Sequence, residues 1–177
     1  EIPKLAIAVL ATGSTAVLLL ALMMLVLDAG LLLSRLLRWP RIVSALRASK
    51  LRPLAGLLAL LVSGYGISQG MAVPQPRQID VAIKDLPAAF DGYRVLQLTD
   101  IHASRLLTGD WVRKVVDKSN ALTPDLIVIT GDLIDGSVEA RRDDARPLAD
   151  LRAPDGVVAI TGNHEYYAGA DAWIAEI

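Results

Sequence analysis

Three short apolar runs, about thirty residues apart, constrain this chain more than any other feature of it. Val95-Leu96-Gln97-Leu98, Leu126-Ile127-Val128-Ile129-Thr130 and Val157-Val158-Ala159-Ile160-Thr161 each have the length and character of a strand buried on both faces. The first ends at Thr99-Asp100-Ile101-His102, the second at Gly131-Asp132, and the third at Gly162-Asn163-His164-Glu165. Ligands in open parallel sheets gather just beyond the carboxyl ends of the strands. Each run therefore delivers metal-capable side chains to one sheet edge. Gly131 and Gly162 let the backbone turn sharply and come close to a ligand.

Helical periodicity fills the intervals. Asp110 to Leu122 sets Val112, Val115, Val116 and Leu122 on one face, and Val138 to Leu151 does the same with Ala145, Leu148 and Leu151. The Arg141-Arg142-Asp143-Asp144 run reads as a solvated helix face, and Trp111 and Trp173 as ordinary core or surface residues. Turn signals at Asp91-Gly92, Thr123-Pro124-Asp125, Asp135-Gly136 and Ala153-Pro154-Asp155-Gly156 separate the elements. The resulting β-α-β-α-β order with short connections predicts an α/β fold with a parallel sheet.

The first 73 residues are a different material. They carry seven Lys or Arg and two acids, whereas residues 74–177 carry eleven Lys or Arg and seventeen acids. Leu5 to Leu27 is 23 residues without a charge, ample for a helix crossing a bilayer core of about 30 Å. A signal peptide's apolar region is usually shorter, about 7–15 residues. Leu54 to Val73 is a second uncharged stretch, diluted by Gly56, Gly64, Gly66, Gly70 and Gln69, and small residues of this kind suit helix–helix packing. We therefore expect a transmembrane hairpin over 1–73, with helices at about 5–27 and 54–73.

Between the helices, Arg35, Arg38, Arg41, Arg47, Lys50 and Arg52 meet no acid from Leu31 to Pro53. A basic loop at 28–53 is expected to stay cytoplasmic, which places residues after the second span outside. Residues 74–87 read as a linker, with Ile79-Asp80-Val81-Ala82-Ile83 alternating like a half-buried edge strand, and 88–177 as the soluble domain. That acidic domain lacks the basic face a nucleic-acid partner requires. The chain starts at Glu1 and stops at Ile177 within an apparent helix, so a piece of a longer protein is expected.

Taken singly, an Asp or Asn at a strand end often only caps the next turn. Here three such ends occur in order, and both of the chain's histidines lie within them. A metal site is the reading that unites them. Position 168 is Ala, so His164-Glu165 does not begin a zinc-protease helix, and without Cys a zinc finger is excluded.

The ordered set T-D-I-H, G-D and G-N-H-E-Y-Y, within about Gln78 to Ile177, resembles the calcineurin-like metallophosphoesterases, in particular their membrane-attached bacterial branch. Thr99 stands where that family usually has Ser. The resemblance implies a four-layer α/β/β/α fold, of which 88–177 would be the first half. It also implies hydrolysis of a phosphomonoester, phosphodiester or pyrophosphate by a water activated between two divalent cations.

By that resemblance, Asp100 and His102 bind the first cation, Asp132 bridges both and Asn163 binds the second. His164 acts at the leaving oxygen, with Glu165 holding its ring. A carboxylate can bridge because it has two oxygens with several lone pairs, whereas an amide offers one carbonyl oxygen. The mixed oxygen and nitrogen donors suit Mn, Fe or Zn better than Ca.

The family completes its metals with further histidines downstream, and none follows His164, so this piece alone is expected to be inactive. A bilayer-tethered enzyme of this kind would suit a lipid-linked phosphate and sit in the bacterial inner or plasma membrane, catalytic domain outward. The alternative is a non-catalytic membrane protein whose degenerate domain binds a partner or phosphate.

Overall fold

The computed structural model describes residues 3–48 and 50–177. They form two units, Glu1–Ala72 and Val73–Ile177.

The first unit is helical. α1 spans Lys4–Leu36, about 50 Å at 1.5 Å per residue. It is nine residues longer at its C-terminal end than the uncharged run, because the single charge of Asp28 does not interrupt a helix of Leu and Ala. Arg38 then takes a left-handed φ of 56° and the chain turns. Pro40 opens the short helix α2, Pro40–Leu46, at a position where a missing N–H costs nothing. The segment expected as a loop is therefore largely helical. α3 runs Leu51–Gly70, with Pro53 tolerated in its first turn.

α1 and α3 pair antiparallel. A Cβ placed on Gly64 would sit 3.8 Å from Thr12 Cγ2, and Arg52 Nη2 donates to Asp28 Oδ1 at 2.6 Å. The seam on α3 is Ala55, Ala59 and Ser63, buried at a spacing of four, which lets the backbones approach. The glycines expected to mark that seam mostly lie off it, since Gly56, Gly66 and Gly70 have open space where a side chain would go. Away from the seam, Leu5, Leu18, Leu25 and Leu61 are all more than 60% exposed. Both α1 and α3 are long and apolar enough to cross a membrane.

The second unit is α/β. Its elements are β1 Val95–Leu98, α4 Gly109–Ala121, β2 Leu126–Thr130, α5 Val138–Ala145, β3 Val157–Ile160, α6 Asn163–Ala168 and α7 Ala170–Glu176. The sheet has the order β1-β2-β3 and is parallel throughout, with Leu96 opposite Ile127 and Leu98 opposite Ile129. Ile127 and Ile129 pack into one cluster with Val112 and Val116 of α4, Val138 and Ala145 of α5, and Trp173 of α7. Burying such side chains is worth about 1.5–3 kcal/mol each and holds the helices on that face.

Three expectations need correction. The strands are not buried on both faces. Only β2 has fully buried residues, on alternate positions, while Val95, Val158 and Ile160 are more than half exposed because the described helices cover one side only. The 138–151 helix breaks into α5 and a 3₁₀ turn, Arg146–Asp150, because Pro147 cannot continue the α-helical hydrogen bonding. Residues 79–83 form no strand. Alternation alone does not make one without a ladder partner, and Ile79, Val81 and Ile83 are all exposed.

Candidate metal centre

Beyond the sheet, the loops after β1 and β2 stay zipped together. Asp100 N–H donates to Gly131 O, His102 N–H to Asp132 O and Ala103 N–H to Leu133 O, while Asp135 N–H returns to Ala103 O. This ladder carries an unusual backbone. Asp100, His102 and Asp132 have φ of 52°, 45° and 52°, and Gly131 has 94°. A left-handed non-glycine residue costs roughly 1–2 kcal/mol and persists only where its surroundings enforce it. Three such residues within two paired loops re-aim their side chains, which is a signature of functional sites.

The loop after β3 is pressed against the loop after β2. A Cβ on Gly131 would lie 2.5 Å from Gly162 N, and one on Gly162 would collide with Asp132. Only glycine at both positions permits this approach. His164 N–H then donates to Asp132 Oδ1 at 2.9 Å.

The side chains that result form one cluster. Donor atoms of His102, Asp132 and His164 all lie within 4.8 Å of one another. Asp100 Oδ1 is 3.7 Å from His102 Nε2, and its Oδ2 accepts from Thr99 Oγ1 at 2.5 Å. Asp135 was read in the sequence as a turn residue, yet it links the two rings. Its Oδ1 meets His102 Nδ1 at 2.9 Å and His164 Nδ1 at 2.6 Å. An ionised carboxylate only accepts, so in the neutral His102 ring the proton sits on Nδ1 and Nε2 keeps its lone pair. Burial pulls the His102 pKa down, but the Asp135 hydrogen bond and the charges of Asp135, Asp132 and Asp100 outweigh it, leaving a net upward shift. The sequence signal for Asp135 was a second carboxylate three residues beyond Asp132 in the same loop.

Glu165 does not hold the His164 ring. It is 1% exposed, and its carboxylate accepts from four backbone N–H groups: Gly162 at 2.7 Å, Asp132 at 3.0 Å, Leu133 at 2.8 Å and Ile134 at 3.2 Å. The Gly162 bond is the half of a capping box that needs no N-cap side chain. The other three tie α6 to the loop after β2. Glu165 is thus a clamp between two loops. Asn163 is the first residue of α6, and its side chain is exposed.

The cluster therefore gathers Asp100, His102, Asp132, Asp135 and His164 at the carboxyl ends of parallel strands. Carboxylate oxygens beside an imidazole with a free Nε2 are a donor set that divalent transition metals accept. Fold and donor set together make this edge of an α/β sheet a candidate metal site.

Residues 93–176 match the calcineurin-like phosphoesterase family, and this segment belongs to it. A zebrafish (Danio rerio) protein described as a transmembrane protein with metallophosphoesterase domain is 31% identical over 68% of this chain and 28% of its own length. A Helicobacter pylori protein described as an uncharacterized metallophosphoesterase is 34% identical over 64% of this chain and 30% of its own. A Bacillus subtilis protein of the same description is 34% identical over 58% and 37%. The chain spans less than a third of the length of the first two. No solved structure matches it.

Proposed function

We propose that the chain is the N-terminal part of a membrane-anchored, metal-dependent phosphoesterase. The observation that carries this is the convergence of Asp100, His102, Asp132 and His164 on one sheet edge through left-handed loop residues. Asp100, His102, Asp132 and Asn163 would hold two divalent cations, Mn, Fe or Zn. Bound there, the cations would supply Lewis acidity to a phosphoryl oxygen and lower the pKa of water.

The chain's own residues do the rest. Asp135 holds His102 in the tautomer that leaves Nε2 free to ligate. His164, fixed through its backbone N–H and its Nδ1, offers its ring to the leaving oxygen of the ester, to stabilise it or, as the imidazolium, to protonate it from Nε2. Glu165 keeps the two loops in register. Substrates are phosphomonoesters, phosphodiesters or pyrophosphates, with a lipid-linked phosphate favoured by the tether.

The test uses the full-length protein in detergent with p-nitrophenyl phosphate and bis-p-nitrophenyl phosphate, with and without Mn²⁺. Metal-dependent turnover should vanish in Asp132→Asn and in the Asp100→Ala, His102→Ala double variant. Turnover that survives Asp132→Asn would overturn the bridging role.

A second proposal is a non-catalytic membrane protein whose domain binds a partner or phosphate. Metal bound at these residues without any turnover would select it.

In both proposals α1 and α3 are spans, the basic turn is cytoplasmic and residues 73–177 face outward from a bacterial inner or plasma membrane. The chain has no Cys, so single substitutions report sidedness cleanly. Ala88→Cys should react with an impermeant maleimide in intact spheroplasts and Ala48→Cys should not. The opposite pattern reverses the topology.

A further inference from the structure

The turn of the hairpin has a charge imbalance that its own stretch of sequence does not correct. Asp28 is the one acid between Lys4 and Asp80, and it is engaged by Arg52. Arg35, Arg38, Arg41, Arg47 and Lys50 are all exposed and share one end of the α1–α3 pair. No carboxylate in this stretch is left to neutralise them. Five cations at the end of two apolar helices call for anions from the surroundings.

Their arrangement is not uniform. The left-handed Arg38 reverses the chain so that the end of α1 and one face of α2 enclose an open hollow of about 760 Å³. Arg35, Arg38 and Arg47 line it, together with Trp39, Val43 and Ser44. Guanidinium groups recognise phosphate oxygens through paired N–H donors, and Ser44 adds a hydroxyl. Trp39 and Val43 give the same hollow an apolar wall, and Trp is a residue of the membrane–water boundary. A phosphate alone would leave that wall idle. A phosphate carried on an acyl glycerol would use both halves.

We propose that this hollow binds the headgroup of an anionic phospholipid, its phosphate bracketed by Arg35, Arg38 and Arg47. The proposal rests on α1 and α3 being membrane spans. Its consequence is that the hairpin is held at a fixed depth, on the leaflet richer in anionic lipid.

The test uses the full-length protein purified in mild detergent, offered equal phosphatidylglycerol and phosphatidylcholine, with retained lipid counted by native mass spectrometry. Wild type should retain phosphatidylglycerol preferentially. The Arg35→Gln, Arg38→Gln, Arg47→Gln variant should lose that preference by about tenfold or more, since each basic residue near an anionic surface contributes roughly a fivefold factor. An Arg41→Gln, Lys50→Gln variant should keep it.

Equal retention of both lipids by wild type would overturn the site. Equal loss in the two variants would replace it with diffuse attraction. Competition by millimolar inorganic phosphate as strong as that of lipid would make it a soluble-phosphate site. Alkaline carbonate extraction separates the underlying premise: release of the wild type from membranes removes the anchor itself, whereas a retained protein with no lipid preference removes only the headgroup site.

Discussion

The α1–α3 pair and the loop cluster at the sheet edge are both held by close backbone approach, but they tolerate change very differently. In the helix pair, closeness comes from a repeated class of residue. Ala55, Ala59 and Ser63 are interchangeable small side chains, and three of the four glycines of α3 have open space where a side chain would go. At the sheet edge, closeness comes from individual residues. Gly131 and Gly162 admit no other side chain, and Glu165 alone satisfies four amides. A generic seam needs a composition. A site needs particular atoms.

The sharpest way to break that contrast is to add one methyl group to each region. Gly131→Ala combines a left-handed φ with a clash against Gly162, so we expect a loss of roughly 3 kcal/mol or more in chemical denaturation, with loss of metal binding. Gly66→Ala, mid-helix with open space around it, should be neutral or stabilise by up to about 1 kcal/mol. Equal effects would erase the distinction.

A somewhat smaller effect comes from removing polar groups. Glu165→Gln replaces an acceptor of four N–H groups by one that also carries donors, and should cost on the order of 2–3 kcal/mol. Metal affinity, measured by calorimetry, should fall with it although Glu165 is no ligand. Ser63 Oγ is buried in α3 without a partner, so Ser63→Ala should leave stability unchanged or improve it.

The smallest effect on stability is the most specific to the site. His102 has a raised pKa, so its contribution in the metal-free protein is present below the ordinary value of 6.5 and is lost as pH rises through the folded-state value. Asp135→Asn removes the hydrogen bond behind that shift. Stability of the metal-free protein should therefore fall as pH rises above 6.5 in wild type and change less in the variant. Metal affinity should drop about 10–100-fold through the lost ring orientation. An unchanged pH profile would show that Asp135 does not govern the ring.

This same contrast explains what could be read from residues alone. β2 was legible to the residue because a continuous apolar run bounded by Pro124-Asp125 and Gly131 has few other solutions. The convergence of Asp100, His102, Asp132 and His164 was legible because parallel strands send their carboxyl ends to one edge. The strand at 79–83 was over-read, since alternation says which face is apolar and nothing about a partner. Asp135 was hidden behind Asp-Gly, which marks a turn equally well. Glu165 was assigned to the wrong partner because backbone amides leave no trace in residue identity. α1 was read short because one aspartate was taken as a terminus, although a single charge at its edge does not stop a helix.

The Glu165 carboxylate also sets a clock. The amide protons of Asp132, Leu133, Ile134 and Gly162 all end on its two oxygens, so none can be released to solvent for long while the others stay bound. Under conditions where every opening leads to exchange, these four protons should exchange in deuterated water at a common rate, as one opening unit that spans two loops thirty residues apart. The rate of that opening is the frequency with which the metal-facing loops come apart.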